Sequence, residues 1–152
     1  DFGRAYAKAQ IEAGNTLPTQ GTVLVSVRAE DRGAIGQSVR ELARNGFRVL
    51  ATPGTAAQLE SIGVAVEIVP KVGRGSPDVV DRIEKGEVDL VINTVGNVPK
   101  AAQDSMSMRR AALMRGVPYF TTVAGVRAAT GGIRAMQAES IGVRSLQEIH
   151  GI

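Results

Sequence analysis

Thr52-Pro53-Gly54-Thr55 joins an apolar run, Phe47 to Ala51, to a helix-like run, Thr55 to Ser61. A glycine between hydroxyl-bearing residues at a strand-to-helix turn is the pattern of an anion cradle. Gly54 permits a tight turn, Thr55 can cap the helix with Gln58 answering three residues later, and the free N–H groups of the first turn face whatever lies above the strand. Those groups and the helix dipole both favour negative charge, so a phosphate is the expected occupant. Thr52 and Thr55 add two hydroxyls to it. The same pattern also serves as a plain strand-to-helix connection, so its weight depends on what else reaches the turn.

Three other segments carry polar groups to matching places. Lys71 follows the run Ala65 to Val69, Asn93 and Thr94 end the run Val88 to Thr94, and Tyr119 and Thr121 lie in Val117 to Thr122. Lys71 supplies a point charge for a phosphate, and Asn93 can donate and accept hydrogen bonds to a base or a sugar. The end of the fourth run has no Asp, Glu, His or Cys, where a general base facing a ligand would stand. Asp78 and Asp104 fall at helix starts, where capping explains them, and His150 reads as a surface tail residue. No catalytic residue is expected, and the site is equipped to bind rather than to transform.

The elements that must gather these groups alternate along the chain. Strands are expected at 22–27, 47–51, 65–69, 88–94 and 117–122. Between them run helices. One is capped by Asp31, has Ile35, Val39, Leu42 and Ala43 on its apolar face, and ends at Gly46; another runs from Thr55 to Gly63. A third is opened by Ser76-Pro77-Asp78 and closed by Gly86, and a fourth runs from Ala102 to Arg115 with Ala111 and Met114 in the core. A last helix covers 123–138, with a bend expected at Gly131-Gly132. Such alternation predicts a three-layer α/β/α architecture on a five-stranded, mostly parallel sheet, Rossmann-like, with ligands at its C-terminal edge. That edge collects strands two to five. The segment 143–150 reads equally as a short strand or a docking tail. Residues 1–13 form a separate amphipathic helix (Phe2, Tyr6, Ala9, Ala13), 14–21 a linker and 22–152 the domain proper, and the abrupt start points to a piece of a longer protein.

Composition narrows the classes. A chain of 152 residues suits one domain. Without cysteine and with a single histidine it forms no disulfide, thiolate site or histidine metal cluster. A cytoplasmic setting fits, no apolar run is long enough for a membrane, and no cofactor is expected. The net charge is +3, and 14 of the 18 basic residues are arginine. They are scattered from Arg4 to Arg144 without aromatic interleaving, which argues against nucleic acid and leaves a small anion as the partner.

From Thr22 to His150 the chain resembles the methylglyoxal-synthase-like domain that forms the C-terminal allosteric region of the carbamoyl phosphate synthetase large subunit. The matching segments include Leu24-Val25-Ser26-Val27-Arg28, Ala51-Thr52-Pro53-Gly54-Thr55-Ala56, Val69-Pro70-Lys71-Val72, Val91-Ile92-Asn93-Thr94, Tyr119-Phe120-Thr121-Thr122 and Leu146-Gln147-Glu148-Ile149-His150. Ala5 to Gln10 looks like the end of the preceding synthetase half. The resemblance implies a nucleoside monophosphate effector, UMP or IMP, on Arg32, Thr52, Gly54, Thr55, Lys71, Asn93 and Thr94, and ornithine on Tyr119 and Thr121. It further implies the synthetase core and its small glutaminase subunit as partners, within an ATP-dependent ligase of pyrimidine and arginine biosynthesis. Val95 stands where some relatives carry another hydroxyl. The alternative is a free-standing lyase acting on dihydroxyacetone phosphate, whose catalytic acid has no counterpart in Asn93-Thr94-Val95-Gly96. Homo-oligomerisation is left open.

Overall fold

The computed structural model of the protein describes residues 1–12 and 16–150. Alternation within the strands sets its layers. In β1 (Thr22–Ser26), β2 (Arg48–Ala51) and β4 (Leu90–Asn93), the side chains of Val23, Val25, Val49, Ala51, Leu90 and Ile92 enter one core. Those of Leu24, Leu50 and Val91 enter a second core on the other face. A strand buried on both faces has to be apolar at both parities, as these are. β3 (Glu67–Ile68) and β5 (Tyr119–Phe120) complete a five-stranded sheet in the order β3-β2-β1-β4-β5. All four pairings are parallel, as the alternation of elements predicts.

The helices α2 (Arg32–Arg44), α3 (Pro53–Ser61) and α6 (Val123–His150) cover the first core, through Ile35, Val39, Leu42, Ala56, Leu59, Val126, Ala129 and Ile133. α4 (Val79–Glu84) and α5 (Pro99–Arg115) cover the second through Val79, Ile83, Met108, Ala111 and Ala112. The expectation for α5 is half right. Met108, Ala111 and Ala112 share a face at i, i+3 and i+4, which leaves Met114 outside at 81 % exposure.

Three local expectations change. α4 is capped by Asp78, which forms a reciprocal capping box with Asp81, so Ser76 and Pro77 precede the helix rather than opening it. α5 starts at Pro99, three residues earlier than read, because a proline suits the first helical turn. α6 runs through 143–150 as a continuation of the helix at 123, neither strand nor separate tail, and without interruption at Gly131-Gly132.

Those glycines serve close packing instead. α1 (Phe2–Glu12) lies on α6: a β-carbon at Gly3 would stand 2.5 Å from the Gly131 carbonyl oxygen, and one at Gly132 would meet Leu17 at 3.1 Å and Tyr6 at 3.3 Å. Ala7 is buried there and Tyr6 packs against the first core, while Phe2 and Ala9 remain exposed. Of the apolar face expected on α1, Ala13 lies outside the described residues, and so does the side chain of His150.

Surface carboxylates tie the edges of the sheet. Glu67 of β3 accepts from Arg82 at 2.6 Å and also pairs with Arg48. The Arg82 bond holds its carboxyl below the usual range despite some desolvation. Asp78 is also held low: partial burial alone would raise it, but the backbone N–H groups of Gly73, Asp81 and Val80 outweigh that. A carboxylate whose folded pKa is depressed stabilises the fold above its unfolded value and loses that contribution as pH falls through the folded value. The melting temperature is therefore expected to be level from neutral pH to about 5 and to drop below about 4, where unfolded Asp and Glu take up protons first. Thermal melts across pH 2–8 read this directly; an unchanged melting temperature at pH 3 would contradict it.

Candidate functional site

The strand order fixes where a ligand can enter. The chain runs outward from β1 to β2 and β3, then returns to the other side of β1 for β4 and β5. The connections leaving β1 and β4 diverge and open a crevice beyond their C-terminal ends. A cleft of about 310 Å³ lies there, lined by Ser26, Val27 and Arg28 after β1 and by Asn93, Thr94 and Val95 after β4. Arg32, Thr52, Lys71, Arg74, Lys100 and Asp104 line it further out. Five of the seven residues expected at the effector site thus meet in the cleft, namely Arg32, Thr52, Lys71, Asn93 and Thr94.

The turn after β2 works differently from its sequence reading. α3 begins at Pro53 with Thr52 in the N-cap position, not at Thr55. Pro53 has no N–H and a fixed φ, so it fits the first helical place. The Ala56 N–H bonds the Thr52 carbonyl at 2.8 Å, which leaves the Gly54 and Thr55 N–H groups without a partner inside the helix. The Thr52 hydroxyl donates to Ser26 Oγ at 3.0 Å. Thr55 is buried behind the cleft: its hydroxyl accepts from the Val27 N–H at 3.1 Å and donates to the Val27 carbonyl at 3.4 Å. A side chain so engaged anchors α3 to β1 and caps nothing.

Gly54 matters through Arg32. A β-carbon at position 54 would stand 2.4 Å from Arg32 Nη2 and 3.0 Å from Cζ. Only glycine lets the guanidinium lie across the start of α3, where its Nε donates to the Val27 carbonyl at 3.4 Å. Gly54→Ala is therefore expected to keep the fold, because the crowded group is the end of a flexible side chain. It should also cost as much anion affinity as Arg32→Ala, and parallel titrations with inorganic phosphate and UMP compare the two. A Gly54→Ala protein that binds like wild type would show that Arg32 reaches no ligand.

On the other wall, Asn93 is 3 % exposed and its Nδ2 donates to Ser105 Oγ at 2.8 Å and to the Tyr119 hydroxyl at 2.6 Å. Thr94 Oγ1 accepts from the Arg28 N–H at 3.1 Å. Asp31 lies in the N-cap position of α2 but makes no side-chain cap bond. Its carboxylate instead takes the Arg28 Nε at 2.7 Å, and that bond holds its pKa below the usual range. Asp104 also caps nothing: it lies beyond the first turn of α5 and accepts from Lys100 Nζ at 2.9 Å. Among the described residues no ion pair engages Arg32, Lys71 or Arg74, so three cations at the cleft lack a carboxylate. Tyr119 does not line the cleft itself but bonds Asn93 and Ser105, which do, and Thr121 is exposed outside it.

Arg28, Arg74, Lys100 and Ser105 line the cleft without having been picked out by sequence. Arg28 had a signal, because it follows the first strand directly and that strand proves central. Among the described residues no group of His, Asp and Glu is placed to hold a metal ion, and no helix is long and apolar enough to cross a membrane.

Comparison with known proteins agrees with this fold. A relative from Methanopyrus kandleri, the C-terminal section of a carbamoyl phosphate synthase large chain, is 44 % identical over 149 residues, which is 98 % of this chain and 28 % of the relative. The carbamoyl phosphate synthase large chain of Rhizobium meliloti is 48 % identical over 148 residues, 97 % of this chain and 13 % of the relative. The chain thus spans less than a third of the length of these relatives. Among solved structures, methylglyoxal synthase from Elizabethkingia anophelis superposes with a TM-score of 0.60 at 18 % identity, covering 75 % of this chain and 79 % of that one. ForH superposes with a TM-score of 0.55 at 20 % identity, covering 86 % and 97 %. These likenesses bear out the three-layer fold. The family model of the MGS-like domain matches residues 34–121, a span from α2 to the end of β5 that includes most of the cleft, and the chain belongs to that family.

Proposed function

We propose that this chain is the regulatory domain of a carbamoyl phosphate synthase large chain, and that it binds a nucleoside monophosphate, UMP or IMP, in the cleft beyond β1 and β4. The observation that carries the reading is the charge of that cleft. Arg28, Arg32, Lys71, Arg74 and Lys100 line it; among the described residues Asp31 pairs with Arg28 and Asp104 with Lys100, which leaves Arg32, Lys71 and Arg74 without a carboxylate. A phosphate dianion held by Lys71, Arg32 and the free N–H groups of α3 needs no further group to balance it. Residues 1–13 then represent the end of the preceding synthetase region. The synthetase core of the longer parent chain and the small glutaminase subunit are the partners through which the effector acts. Ornithine is assigned to the exposed Thr121 and the Tyr119 ring, since the Tyr119 hydroxyl is already engaged.

Calorimetric titration with UMP, IMP and ornithine tests the binding. Saturable heat with a nucleotide, competed by inorganic phosphate, is the expected result, and its absence with both nucleotides would overturn the reading. Incubation with dihydroxyacetone phosphate should give no methylglyoxal above background. The carbon-bound proton requires a positioned base, and among the described residues the one carboxylate lining the cleft, Asp104, is paired with a lysine. Turnover that disappears in Asp104→Asn would put the lyase first.

A further inference from the structure

Asn93 lies in the wall of the cleft with both amide hydrogens directed into the protein, one to Ser105 of α5 and one to Tyr119 of β5. The Tyr119 hydroxyl has a single proton, and its own bond runs to the Ser105 carbonyl at 3.3 Å. A phenol that gives its proton to a carbonyl can only accept from Asn93, so the atom beside it must be the amide nitrogen. The carbonyl Oδ1 is then what Asn93 has left to offer the cleft. We propose that Tyr119 is a positioning residue, which turns Asn93 so that the middle of the cleft presents a hydrogen-bond acceptor and the ligand must donate to it from a part other than its phosphate. This rests on the effector-site reading and deepens it.

Two consequences follow for the ligand. A phosphate dianion carries only acceptor oxygens and is repelled by an amide carbonyl, so it is directed away from Asn93, towards Lys71, Arg32 and the start of α3. A sugar hydroxyl or a base N–H then meets Asn93. Burial keeps the Tyr119 phenol protonated well above neutral pH, against the opposing effect of the Asn93 bond and of Arg109, so the arrangement persists across the physiological range.

The test titrates the wild-type protein, Tyr119→Phe and Ser105→Ala with UMP, ribose 5-phosphate and inorganic phosphate, and follows the Asn93 side-chain amide by NMR. In the wild type the two Asn93 amide protons should exchange slowly with water. In Tyr119→Phe they should exchange faster, UMP should bind roughly tenfold more weakly, and inorganic phosphate should bind as before. Ser105→Ala should shift the same readouts in the same direction, which keeps the test valid if the tyrosine variant folds poorly. A loss shared by ribose 5-phosphate identifies the donor as a sugar hydroxyl, and a loss confined to UMP identifies a base N–H. UMP binding by Tyr119→Phe at wild-type strength, or an equal loss for UMP and inorganic phosphate, would overturn the positioning role. A wild-type protein with a protected Asn93 amide but no UMP binding would overturn the effector reading and the ligand assignment made here, and would leave the Asn93 orientation standing.

Discussion

Lys71→Ala lowers the affinity for UMP by about tenfold or more and leaves the melting temperature unchanged. Lys71 is exposed, lies at the mouth of the cleft and makes no ion pair among the described residues, so its removal leaves no buried group unsatisfied. A charge-assisted hydrogen bond to phosphate is worth about 1.5–3 kcal/mol, or roughly 10- to 150-fold in affinity, and exposure to solvent places this one at the lower end. The same variant should flatten the salt dependence of binding, because one fewer cation is engaged. Arg32→Ala should match it in direction, and the double variant should fall further still if both side chains hold one phosphate. Titrations at low and high salt decide the matter: wild-type affinity in Lys71→Ala would mean that the phosphate sits elsewhere in the cleft.

How much of this was legible in the sequence depends on which kind of interaction set each feature. The strand and helix order was legible because it is written in apolar periodicity, with Val23, Leu24 and Val25 buried on both faces of β1 and Ile35, Val39 and Leu42 on one face of α2. The position of the cleft followed from the parallel order. Ends of elements were less legible: Pro53 and Pro99 begin α3 and α5 earlier than the threonine and alanine chosen for them. Side-chain partners across the chain were not legible at all. Nothing local reveals that Thr55 bonds Val27 across 28 positions, or that Asn93 reaches Tyr119 across 26. The first strand was left out of the site, although Arg28 follows it directly. Its central place in the sheet, next to both β2 and β4, is what brings Ser26 and Arg28 into the cleft.

Thr55 separates a structural threonine from a ligand contact. Its side chain is 2 % exposed, and its hydroxyl satisfies both the N–H and the carbonyl of Val27, itself 5 % exposed. In Thr55→Val the shape is kept and the hydroxyl is lost, so a buried N–H is left without a partner, at a cost of about 1–3 kcal/mol. For a chain of this size that lowers the melting temperature by roughly 2–12 °C. Thr55→Ser keeps the hydroxyl and loses only a methyl group, and should lie much closer to wild type. The binding effect follows from the structural one: the Val27 carbonyl also receives the Arg32 Nε, so a displaced Val27 moves a cation away from the cleft. UMP affinity is therefore expected to fall in step with stability across the series serine, valine, alanine. If Thr55→Val melts like wild type and yet loses UMP, the hydroxyl turns to the ligand when one is bound, and the anchoring of α3 to β1 rests on packing alone.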